Sequence, residues 1–134
     1  MKADARTEAA VLAALKAFAA SYARHDVQGV MALHAADPDV VAFVGGFKYG
    51  GPEQIRAMVE SDLAGLNAID WAFAELSVSA VGAVAWLTAD ATVTGQTGGQ
   101  AVPLGVYRFT WVCEQRGEQW LIVHAHVSAE ASEN

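Results

Sequence analysis

Basic side chains are scarce in this sequence. Its 134 residues carry 8 Lys and Arg against 15 Asp and Glu, a formal charge of −7 with neutral histidines. Nucleic acid takes its binders by letting Lys and Arg neutralise phosphates, so no nucleic-acid partner is expected, and anionic membrane surfaces are disfavoured on the same ground. Cysteine is nearly absent: Cys113 stands alone, which excludes an internal disulfide framework and a thiolate metal cluster. Long hydrophobic runs are missing too. None approaches the roughly 18 residues that a membrane span needs, and Asp4, Arg6 and Glu8 interrupt the start before a signal-peptide core can form. What remains is a chain with 54% hydrophobic residues, of a length that suits one domain of about 100–200 residues. A chain of that size buries roughly two-thirds of its unfolded surface. The expectation is one soluble, cytoplasmic domain over 1–134, ordered from about 8 to 128.

The first half reads as helical. Val11, Leu15, Phe18 and Tyr22 stand four, three and four apart, which stacks them on one helix face. Asp26 is placed to cap a second helix, in which Val27, Val30, Met31 and His34 share a face until Asp37-Pro38 stops it. A short strand over 40–44 leads into the Gly45-Gly46 and Gly50-Gly51 bends. Pro52 and Glu53 then open a third helix carrying Ile55, Met58, Val59, Asp62 and Leu66.

From Ile69 the period alternates. Four strands are predicted over about 69–80, 83–94, 101–115 and 119–129, separated by Val81-Gly82, Gly95 to Gly99 and Arg116-Gly117. Links this short join only antiparallel neighbours. A turn at Arg116-Gly117 sets Cys113, Trp111, Phe109 and Tyr107 opposite Trp120, Ile122, His124 and His126. The other face then gathers Trp86, Thr88 and Asp90 beside Arg108 and Thr110, with Trp71, Phe73, Glu75 and Ser77 next to them. The aromatic face is nearly free of charge and asks for a partner, most simply a second copy of the chain. The mixed face, closed by helices, is expected to hold a pocket with a few polar groups in apolar walls.

The element order, the junction from Tyr22 to Asp26, the segment Tyr107-Arg-Phe-Thr-Trp111 and the closing run from Trp120 to Ser128 resemble the SnoaL-like members of the nuclear-transport-factor-two-like superfamily. The resemblance implies an α+β cone: a curved antiparallel sheet wrapped on a long N-terminal helix, with two further helices and, commonly, a homodimer formed through the sheet. Relatives of that superfamily include ketosteroid isomerase, polyketide cyclases and the association domain of calcium/calmodulin-dependent kinase. Isomerase chemistry needs a carboxylate base with a Tyr and a protonated Asp as oxyanion hole. Alignment at Asp26 puts Phe18, Phe43 and Thr110 near those places, and none can serve. A cyclase-type Asp with a His partner does not align securely.

Each candidate has a sharp and a bland reading. Asp90 and Glu75 are the candidate proton carriers, if burial shifts their pKa values; otherwise Asp90 simply pairs with Arg108. Arg108 suits a ligand carboxylate through its planar fork, or that same Asp. Tyr22 points a hydroxyl into the cone or packs the core. His124 and His126 share a strand face, but no third ligand accompanies them for zinc, so no metal is implied. Gly45-Gly46 and Gly50-Gly51 lack the Lys that a phosphate loop requires. The function expected is a homodimeric small-molecule-binding domain without cofactor, its pocket made of Tyr22, Trp86, Thr88, Asp90, Arg108 and Thr110. Its dimer face would be Tyr107, Phe109, Trp111, His124 and His126. Weak isomerase- or cyclase-like acid-base work on a small, anionic ligand would fit it. The alternative is a protein association module without catalysis.

Overall fold

The computed structural model describes residues 1–131. Helix α1 (Ala5–Ala23) begins where the Asp4 carboxylate accepts a hydrogen bond from the Thr7 amide at 2.8 Å, satisfying one of the free N–H groups of the first turn. Its buried stripe contains Val11, Leu15, Phe18 and Tyr22, the four positions that the helical spacing singles out. His25 turns the chain with a φ of 57°, and Asp26 caps α2 (Val27–Met31) by accepting from the Gly29 amide at 2.9 Å. Gly29 leaves room for the capping side chains. A Cβ would stand 2.5 Å from Ser21 Oγ and 2.6 Å from an Asp26 carboxylate oxygen.

Strands β1 (Val41–Val44) and β2 (Phe47–Gly50) form a hairpin through Gly45-Gly46, with φ of 59° and 88°. Two left-handed central residues give the turn whose twist matches its strands. β2 replaces what reads from sequence as a plain Gly-rich bend. Helix α3 (Gly51–Leu63) follows with Pro52 in its first turn, and four long strands complete the chain: β3 (Ala68–Val81), β4 (Val84–Thr97), β5 (Gln100–Arg116) and β6 (Gln119–Ala129). The sheet order is β2-β1-β6-β5-β4-β3. All neighbours are antiparallel except β1 and β6, which run parallel, so the sheet is mixed and unclosed. Arg116 clamps the segment before β1 to the β5–β6 hairpin through two bonds to the Asp37 carboxylate, at 2.6 and 2.7 Å.

The helices cover one face of the sheet. Phe18 of α1 lies with its ring centroid 5.4, 5.9 and 5.1 Å from those of Trp71, Phe109 and Trp111. Phe109 and Trp111 are each 1% exposed. They belong to the core beneath α1, not to a dimer face, and Trp120 and Ile122 are buried as well. The expected assignment of the two faces is therefore reversed. The physical reason is that the apolar stripe of α1 needs an apolar sheet beneath it, while Asp90 and Arg108 keep their charges in water by facing outward.

Two bulges explain the rest of the difference. The β5–β6 turn is Gly117-Glu118, one residue beyond the expected position, and pairing then slips between Val112 and Cys113. Cys113 faces Ile122, but Trp111 faces Ala125 and Val112 faces His124, so Val123 is an extra residue that inverts the strand beyond it. His124 and His126 thereby leave the aromatic face and flank the Phe43 ring on the outer side, each with a centroid separation of 5.7 Å. In β3 the register shifts between Ala74 and Ser77. Trp71 and Phe73 turn inward while Ser77 turns outward, and Glu75 sits exposed in the bulge with a φ of 54°.

Candidate functional site

The inner face does not pack completely. Where α1, α2 and α3 meet the sheet there is a cavity of about 50 Å³. Its walls are apolar: Phe18, Val30, Ala42, Val44, Met58, Val59, Phe109, Trp111, Ala125 and Val127. Four polar side chains interrupt them, namely Tyr22 from α1, His34 from the turn after α2, Asp62 from α3 and Trp71 from β3.

Each of the four is poised differently. The Trp71 indole Nε1 is buried without a hydrogen-bond partner among the described residues, which costs about 1–3 kcal/mol unless an acceptor arrives. Tyr22 is 2% exposed, and burial, with the Asp62 charge acting in the same direction, keeps its phenol protonated. His34 Nδ1 lies 3.0 Å from the Val30 carbonyl. A carbonyl only accepts, so Nδ1 carries the proton and Nε2 keeps its lone pair. Burial lowers the His34 pKa from its ordinary value, so the imidazole is a neutral base. Asp62 reaches solvent on one side and meets the apolar walls on the other, and this desolvation pushes its carboxyl up to about 6. A donor without a partner, a neutral imidazole and a carboxyl that titrates near neutrality are the components of acid-base work.

The residues expected to form the pocket are divided by the fold. Tyr22 lines the cavity. Trp86, Thr88, Asp90, Arg108 and Thr110 do not: all five stand on the outer face, with Asp90 opposite Arg108 and Thr88 opposite Thr110. The Arg108 guanidinium donates to Asp90 at 2.7 Å and lies 3.5 Å from Glu130, all three partly open to water. Glu75 points away from the cavity in its bulge. Tyr107 is half-buried on β5 and donates its hydroxyl proton to the Leu104 carbonyl at 2.6 Å. Among the described residues no three His, Cys, Asp or Glu side chains converge as a metal site requires.

Sequence reasoning missed His34 and Asp62, although both had a signal. Asp62 follows Ile55, Met58 and Val59 at helical spacing, a carboxylate on an otherwise apolar stripe. His34 likewise shares the face of Val27, Val30 and Met31. A titratable group that interrupts an apolar stripe in the sequence is the informative exception.

A curved, unclosed mixed sheet with a long N-terminal helix and two more on one face defines the nuclear-transport-factor-two-like class of α+β cones. Within that class the chain belongs to the SnoaL-like domain family, whose model matches residues 11–132. Among solved structures it is similar to a putative dehydratase of the nuclear-transport-factor-two-like family from Streptomyces avermitilis, at 20% identity and a TM-score of 0.84, over 95% of this chain and 99% of that one. It is similar also to a putative calcium/calmodulin-dependent protein kinase II association domain from Xanthomonas campestris, at 24% identity and a TM-score of 0.76, over 98% and 91%. A protein of unknown function from Pseudomonas putida matches at 23% identity and a TM-score of 0.76, over 96% and 90%. Identities this low establish the fold alone. No curated protein matches the chain.

Proposed function

We propose that this domain binds a small organic molecule in the cavity between α1, α3 and the sheet, and that Asp62 and His34 exchange a proton with it. The observation that carries this reading is the buried, unpartnered Trp71 N–H in a cavity that also holds a carboxyl raised to about 6. Trp71 Nε1 would hold a ligand oxygen, and the Tyr22 hydroxyl would stand beside it. His34 Nε2 would accept a proton from the ligand and Asp62 would return one. No cofactor is needed for such a transfer. The lone, buried Cys113 suits a reducing, cytoplasmic setting.

The same reading makes the domain a homodimer through the outer sheet face. Trp86, Thr110, Val112 and His124 are only half-buried there, and the Asp90–Arg108 pair lies among them. The rival, an association module, draws on the similarity to the putative Xanthomonas association domain, as the enzymatic reading draws on that to the putative Streptomyces dehydratase.

Native mass spectrometry of the gently purified protein separates the two. A dimer carrying a small removable mass, lost in Trp71→Phe while the dimer persists, is the expected result. A larger ring with no bound mass would favour the association module, and a monomer would overturn the dimer face.

A further inference from the structure

The cavity is not isolated. A second, more open compartment of about 420 Å³ lies beside it, lined by Lys48 and Tyr49 of β2 and by Gln54, Ala57, Met58, Ser61 and Asp62 of α3. Met58 and Asp62 belong to both compartments. They stand at the threshold between the inner chamber and an outer groove to which Lys48, Tyr49, Gln54 and Ser61 bring polar groups. The two differ sharply in size. About 50 Å³ accommodates a few waters and is small beside the roughly 300–1,000 Å³ of pockets that enclose a drug-sized molecule.

Resting on the binding role argued above, we infer that the ligand is an anionic carbonyl compound seated across both compartments. Its compact carbonyl head enters past Met58 and Asp62 and accepts from Trp71 Nε1, and its carboxylate-bearing body lies in the outer groove against Lys48, Gln54 and Ser61. The inner chamber is too small for more than the head. Its unpartnered polar atom is a donor, so the head must present an acceptor. Lys48 is the only lysine or arginine among the described residues lining either compartment, which places the negative charge of the ligand outside. Gln54 holds the Gly50 amide through its carbonyl oxygen at 2.8 Å, so its amide N–H₂ is presented as a donor.

The test is an NMR titration that follows the Trp71 indole N–H, assigned among the 4 tryptophans by its loss in Trp71→Phe. The probes are levulinate and its longer methyl-ketone acid homologues, each against the neutral methyl ketone of matched length. Acids and ketones should both move the Trp71 signal. The best acid should bind up to about fivefold tighter than its ketone, the size of one exposed charge pair, and Lys48→Met should erase that advantage. If acids and ketones bind equally, or if the advantage survives Lys48→Met, the two-compartment assignment is overturned while the cavity remains a binding site. If neither class moves the Trp71 signal, the binding role itself fails.

Discussion

Asp62 shows how one side chain couples the site to stability. A carboxyl whose pKa is 3.8 in the unfolded chain and about 6 when folded binds more protons in the folded state between those values. Its ionisation therefore withdraws stability as pH rises through that window. Asp62→Asn should be more stable than the parent at neutral pH, by about 1 kcal/mol once its solvent-facing side is allowed for. The gain should vanish toward pH 4. His34 has the opposite sign: its lowered pKa removes stability as pH falls below the ordinary imidazole range. Denaturant titrations of both proteins across that range would measure the difference, and an Asn variant no more stable at neutral pH would contradict the desolvation assigned to Asp62. Both residues were visible in the sequence as polar interruptions of apolar helix faces. Their convergence was not, because it depends on α3 lying over β1 and the turn after α2, which no local spacing encodes.

The elements themselves were largely legible. The α1 stripe, the Asp26 cap, the Pro52 start of α3 and the alternation of the four long strands all follow from spacing and side-chain type. What spacing could not show was which face of the sheet turns inward. Parity along a strand survives only until a bulge, and Val123 and the Glu75-Leu76 pair each reset it. The face assignment has a direct consequence for folding. Phe109→Ala removes a ring sealed under α1 and should cost about 3–5 kcal/mol, whereas Thr88→Ala on the exposed side should stay within about 0.5 kcal/mol. Chemical denaturation of the two variants reads both numbers. A mild Phe109→Ala with a severe Thr88→Ala would restore the opposite orientation.

At the scale of the whole molecule, the unclosed sheet leaves two borders, β2 and β3. β2 is only four residues long, and a short border offers little backbone for a stray strand to recruit. β3 runs for 14 residues and is the greater hazard. Its outer half is occupied by the first residues of the chain: Lys2 bridges Ser79, the Ala3 amide donates to the Val78 carbonyl at 3.2 Å, and the Ala80 amide donates to the Met1 carbonyl at 2.9 Å. The bulge at Glu75 bends the strand just beyond them. Removal of residues 1–3 should accordingly raise concentration-dependent aggregation far more than it lowers the melting temperature, and light scattering during storage would show it. An unchanged scattering trace would mean that the bulge alone guards the border. Those three residues, remote from the cavity, act as a selvedge: they finish the fabric of the sheet so that it does not unravel into its neighbours.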